Sequence, residues 1–132
     1  MDGDETVKQN DTEFLGVLPK ADEAIIPVEK FLNYVLDPIN SRGKSIAFRE
    51  ALGYTKKNAD LLIKNIKQNL RNFPAEKKGN RGYGELYTVL MELVGVNNRS
   101  AYVLTAWLDD NRTDKMRMIS AYIKRRKGGT HD

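Results

Sequence analysis

The hydrophobic period changes once along this chain, and that change constrains the fold more than any other feature. Between residues 28 and 73 apolar side chains recur at three- and four-residue intervals, whereas from 83 to 123 they alternate or run in β-branched and aromatic stretches. Helices and strands in separate blocks indicate an α+β domain, with N-terminal helices packed on an antiparallel β-meander. The helical block divides at its own punctuation. Val28, Phe31, Leu32, Val35 and Leu36 follow Pro27, which suits a first helical position, and stop at Asp37-Pro38. A second helix is expected from about Lys44 to Leu52, closed by a left-handed cap at Gly53. Thr55 opens a third, whose stripe is Ala59, Leu62, Ile63, Ile66 and Leu70, and Phe73-Pro74 closes it.

The second block reads as three strands, 83–94, 99–109 and 115–123, joined by turns at Gly95–Asn98 and Asp110–Asp114. Ala24-Ile25-Ile26 is a candidate short edge strand. Residues 1–20 carry no periodicity and are expected to be a disordered acidic leader, 21–124 a single α+β domain, and 125–132 a flexible basic tail. Alternation also assigns faces. The more aliphatic set, Leu104, Ala106, Leu108, Ile119, Ala121 and Ile123, is expected to take the helices. Thr105, Trp107, Ser120, Tyr122 and Tyr87 are then left on an open face, where aromatics and hydroxyls can stack bases and hold phosphates. An ordinary half-exposed sheet is the plain alternative.

Charge narrows the partners. Residues 1–23 hold seven acids and two lysines, while the rest of the chain holds 20 bases against 11 acids, a net of +9. A body of that charge attracts polyanions in a salt-dependent way, although solubility alone also explains it. Cysteine is absent, which removes disulfides, thiolate metal sites and a cysteine nucleophile. The single histidine, His131, lies in the tail, so a Ser-His-Asp triad in the folded body is excluded. No apolar run approaches the ~18 residues of a membrane span, and the polar, acidic start is unlike a secretory signal. No membrane association is expected.

Several local patterns are weaker than they look. Ser41-Arg42-Gly43-Lys44-Ser45 ends like a phosphate loop, but Pro38 stands where the pattern needs glycine, and a helix precedes it instead of a strand. Lys44 still sits beside a glycine at a helix start, where it opposes the dipole and where an anion is favoured. Gly79, Gly82 and Gly84 read as a flexible loop leading into a strand. Asp109, Asp110 and Asp114 flank a hairpin turn, where acids are common, and no metal or cofactor is expected. Asn98-Arg99-Ser100 and Asn111-Arg112-Thr113 match a glycosylation pattern but read as turn chemistry.

The run from Glu23 to Pro38, then Arg42-Gly43-Lys44 and Ala51-Leu52-Gly53-Tyr54, resembles the helical half of a small bacterial domain family of unknown function. Arg99 through Trp107, followed by Ser120-Ala121-Tyr122, is similar to its sheet half. Such domains occur at the C-termini of polymorphic and contact-dependent toxins, beside phage head-morphogenesis modules, and alone. The resemblance implies a fold like the barnase/EndoU/colicin/RelE group of ribonucleases, many of which cleave RNA, often tRNA, and are held inactive by a cognate immunity protein.

The resulting expectation is a metal-independent RNA-cleaving toxin domain acting in the cytoplasm, its own or that of a target cell. By position, Lys44, Arg99, Thr105 and Trp107 match the family's motifs. Lys44, Arg99, Thr105 and Tyr122 are the expected catalytic residues, with Arg42, Tyr87, Trp107, Arg117 and Ser120 as nucleic-acid contacts. Since the RNA supplies its own 2′-OH nucleophile, the protein need only position the phosphate, offset its charge and relay protons. A non-catalytic nucleic-acid-binding protein, or a phage or mobile-element accessory acting by protein contact, are the alternatives.

Overall fold

In the computed structural model, which describes residues 13–14, 16–80 and 82–125, every helix longer than a single turn precedes the main sheet. The chain enters through β1 (Glu13–Phe14), a single 3-10 turn at Ala21–Glu23, and α1 (Val28–Lys30), which continues as a π turn over Phe31–Val35. α2 (Arg42–Leu52) follows, then α3 (Ala59–Asn69), which is entered and left by 3-10 turns at Lys56–Asn58 and Leu70–Asn72. The sheet is completed by β2 (Ala75–Asn80), β3 (Gly84–Val94), β4 (Ser100–Asp110) and β5 (Lys115–Ile123). Its order is β1-β2-β3-β4-β5 with every neighbour antiparallel, so the α+β meander needs no crossover.

Local chemistry accounts for the helix ends. Gly53 adopts φ 83°, and its N–H donates to the Arg49 carbonyl at 3.0 Å while Tyr54 N–H reaches Phe48 O at 3.3 Å, satisfying carbonyls that the last turn of α2 leaves free. Thr55 and Asn58 cap the next helical run reciprocally: Lys57 N–H donates to Thr55 Oγ1 at 3.2 Å, and Thr55 N–H to Asn58 Oδ1 at 2.8 Å. Pro27 takes the cap position before α1 instead of the first helical one. Where α2 ends it meets the β3–β4 turn. A Cβ on Gly95 would overlap the Leu52 carbonyl, so only glycine allows that approach.

On β4 the sheet presents to the helices the face opposite to the one expected, whereas on β5 Ala121 is buried and Ile123 packs against the core as expected, and Ile119 does not. Tyr87, Val89, Met91 and Leu93 of β3, Val103, Thr105 and Trp107 of β4, and Met116, Met118 and Ala121 of β5 are all buried against Phe31, Phe48, Leu52, Leu62 and Ile66. Leu104 and Ala106 stay half-exposed on the outer face, and only Leu108 is buried there. Volume explains the choice, because one indole and three methionines fill the interlayer space better than alanines and single leucines. A register shift at Ala106/Trp107 explains the rest. It places Ser120 opposite Ala106 but Met118 opposite Trp107, so Ile119 is an extra residue and alternation resumes with reversed parity beyond it.

Two further expectations change. Residues 75–80 form a strand between β1 and β3 where a glycine-rich loop was expected around Gly79, and Gly79 sits at the strand's irregularity. The sequence reading ended the leader at residue 20, yet Glu13–Phe14 pairs with β2 and Leu18 is buried at 2% exposure; residues 1–12 and 126–132 lie outside the described residues. Ile25 does reach a sheet edge as a parallel bridge to β5, its N–H donating to Met116 O at 2.8 Å and its carbonyl accepting from Met118 N–H at 2.9 Å. Among the described residues, no helix is long and apolar enough to cross a membrane.

Candidate nucleic-acid interface

α2 is held by Phe48 and Leu52, both fully buried. Lys44 lies one turn before Phe48, on the flank of that buried stripe, so packing Phe48 into the core also fixes where Lys44 starts. Its ammonium donates to Ser120 Oγ at 3.4 Å and lies 5.9 Å from the centre of the Tyr122 ring. Ser120 and Tyr122 are two residues apart on one strand and share its outer face, paired with Ala106 and Leu104. The fold thus joins three expected site residues from the first turn of α2 and the last strand. Tyr122 remains 36% exposed, and one hydrogen bond leaves ammonium donors for an incoming oxygen. Arg42 stands at the start of the same helix, exposed, and no ion pair engages it among the described residues.

The other expected residues do not join this group. Thr105 and Trp107 are both 0% exposed. Trp107 Nε1–H donates to Thr105 Oγ1 at 2.8 Å, and the Thr105 hydroxyl donates to Val89 O at 2.8 Å. These groups complete each other's hydrogen bonds inside the core and touch no solvent, so neither can contact RNA. Tyr87 is a core residue as well, at 6% exposure, and burial pushes its phenol pKa up. Arg99 is exposed but belongs to the β3–β4 turn, where Asn97 Oδ1 accepts its N–H at 3.0 Å. That turn packs on Leu52, eight residues or roughly 12 Å of helix away from Lys44.

Arg117 is committed elsewhere. Its Nη2 donates to Asp110 Oδ2 at 2.7 Å, and Arg112 grips the same carboxylate through Nε at 2.9 Å and Nη2 at 3.0 Å. Hydrogen bonds from Arg112 and then Arg117 hold the Asp110 carboxyl far below the usual carboxylate range, and Asp110 in turn raises Arg112. The Arg112 guanidinium also covers the Tyr83 ring at 4.4 Å. The sequence reading took Asp110 as turn chemistry and missed this hub. The available signal was the strand register, which sets Leu108 against Arg117 and brings the arginine beside the acid. The neighbouring acids Asp109 and Asp114 hold Lys20 between them, at 2.7 and 3.0 Å.

Chemically, the assembled corner offers one ammonium, a serine hydroxyl and an accessible phenol on the outer side of the sheet, while Arg42, two residues from Lys44 on the helix, points to its other side. It can attract a phosphate and present an aromatic face. Comparison with known proteins adds lineage without activity. No curated protein and no solved structure matches the chain. A family model described as a domain of unknown function, DUF6883, matches residues 17–125, which takes in the described body from before the first 3-10 turn to the end of β5. By that match, the chain belongs to the DUF6883 domain family.

Proposed function

We propose that the chain binds RNA at the Lys44–Ser120–Tyr122 corner. The observation that carries this reading is the 3.4 Å contact that ties a first-turn lysine to Ser120, with Tyr122 under the same ammonium. Lys44 meets a backbone phosphate, and Tyr122 stacks an unpaired base, a sequence-tolerant contact available only in a single strand. The net +9 of residues 24–132 supplies long-range attraction.

A second reading, strand scission, draws on the two hydroxyls beside the ammonium. The 2′-OH attacks the adjacent phosphorus and the 5′-oxygen of the next nucleotide leaves, giving a 2′,3′-cyclic phosphate. Lys44 offsets the charge on the phosphate, Tyr122 relays the proton from the 2′-OH to the departing 5′-oxygen, and Thr105 has no part in it. In that reading the domain is a toxin acting in a cytoplasm and neutralised by an immunity protein. Induced expression in a sensitive bacterium, with total RNA resolved on a gel, separates the two. Discrete fragments and arrested growth, both lost in Tyr122→Phe, support scission. Intact RNA together with binding in vitro leaves RNA binding alone, and no binding even at low salt removes both.

A further inference from the structure

A concave feature lies on the other side of α2 from Lys44. The end of the π turn, the flank of α2 and the start of the α3 run enclose a cleft of about 310 Å³, at the lower end of the range for small-ligand sites. Exposed Pro38 gives it an apolar wall, backed by Leu36, which is itself buried. Arg49, Lys56 and Lys57 bring three cations to its rim. One acid answers them: buried Asp37 accepts from Lys56 Nζ at 3.5 Å and from the Asn40 N–H at 3.3 Å, which holds the loop that forms the wall. Arg49 meets only its exposed neighbour Glu50, at 3.7 Å, and no ion pair engages Lys57 among the described residues. The lining itself thus carries three positive charges and no acid beside an apolar surface; Asp37 and exposed Glu50, both outside the lining, answer Lys56 and Arg49.

We infer that this cleft is a nucleotide site, taking one phosphorylated nucleoside. Arg49 and Lys57 hold the phosphate, exposed Pro38 takes the flat face of the base, and the Thr55 hydroxyl in the lining is the partner for a sugar hydroxyl. Arg42 and Arg49 are seven residues apart and so face nearly the same way on α2, opposite to Lys44. The two sites accordingly use different flanks of one helix, and this inference stands on the lining of the cleft rather than on the RNA reading. The nucleotide is either free or the 5′-terminal unit of a strand.

Calorimetric titration of the full chain with adenosine 5′-monophosphate, adenosine and inorganic phosphate tests the assignment, alongside short oligoribonucleotides with and without a 5′-phosphate. The monophosphate is expected to bind at least about tenfold more tightly than either of its parts, and Arg49→Ala and Lys57→Ala each to weaken it about tenfold. Lys64→Ala, the same charge change at an exposed position of α3 outside the cleft, should alter affinity less than about twofold. Binding of the free monophosphate identifies the first source; binding only of the 5′-phosphorylated oligonucleotide, lost in Arg49→Ala, identifies the second. Absence of both, phosphate binding as tightly as the monophosphate, or Lys64→Ala acting as strongly as Lys57→Ala would each overturn it. Loss of nucleotide binding with Lys44-dependent RNA binding intact would remove this site alone.

Discussion

Thr105 shows how much a single side chain's meaning depends on which way its strand faces. On an outer face it is a proton donor beside an aromatic; on the inner face it is the acceptor that makes a buried indole tolerable. Trp107 Nε1–H has Thr105 Oγ1 as its partner at 2.8 Å. Thr105→Val keeps the shape but strands that N–H and removes the donor to Val89 O, so it should cost about 1–3 kcal/mol of stability. Thr105→Ser, which retains the oxygen, should recover most of the loss. Urea denaturation of the two variants checks this, and equal stability of Thr105→Val and wild type would contradict the core assignment. RNA affinity at a temperature where the variant is folded should be unchanged.

At the scale of elements, the β4–β5 hairpin is fastened by one carboxylate. Asp110 is buried, and two guanidiniums keep it ionised well below the ordinary carboxyl value of 3.8. The sign follows from linkage: the unfolded chain takes up the proton first, so the contribution of Asp110 is complete above its unfolded value and is lost as pH falls below it toward the depressed folded value. Melting curves between about pH 5 and pH 2 should show the midpoint falling, and Asp110→Asn should start lower and fall less steeply. An Asp110→Asn midpoint equal to wild type at neutral pH would mean that the hub does not stabilise the hairpin. The joint between α2 and the β3–β4 turn is tested separately. Gly95→Ala drives a methyl into the Leu52 backbone, where nothing flexible can yield, and should lower the melting midpoint, whereas Gly43→Ala meets open space and should not. Equal midpoints for the two glycine variants would refute the close approach.

Over the whole molecule, what was legible in the sequence is what local chemistry decides. The cap at Gly53, the N-cap at Thr55, and the limits of β3, β4 and β5 depend on residues within a few positions of each other. The buried face of the sheet does not. It depends on one extra residue at Ile119 and on the combined volume of side chains from three strands, neither visible in any one strand's alternation. β2 escaped notice because Glu76, Lys77, Lys78 and Gly79 show no apolar alternation and read equally as a loop, although Glu76 and Lys77 pair with β1 on the side away from β3. The Lys44 site was half legible. A lysine opposing a helix dipole marked it, and the same criterion applied to Lys56 and Lys57 would have marked the cleft.

The central claim is that Lys44 and its partners on β5 form the RNA contact, and the salt dependence of RNA affinity in wild type and Lys44→Ala tests it most directly. Affinity for a single-stranded oligoribonucleotide should fall linearly with salt on logarithmic axes, and the variant's slope should be smaller by about 1, with Tyr122→Ala weakening binding by about 1–3 kcal/mol at an unchanged slope. A Lys44→Ala protein with wild-type affinity and slope would contradict the account, because the ammonium that joins α2 to Ser120 and Tyr122 would then meet no phosphate.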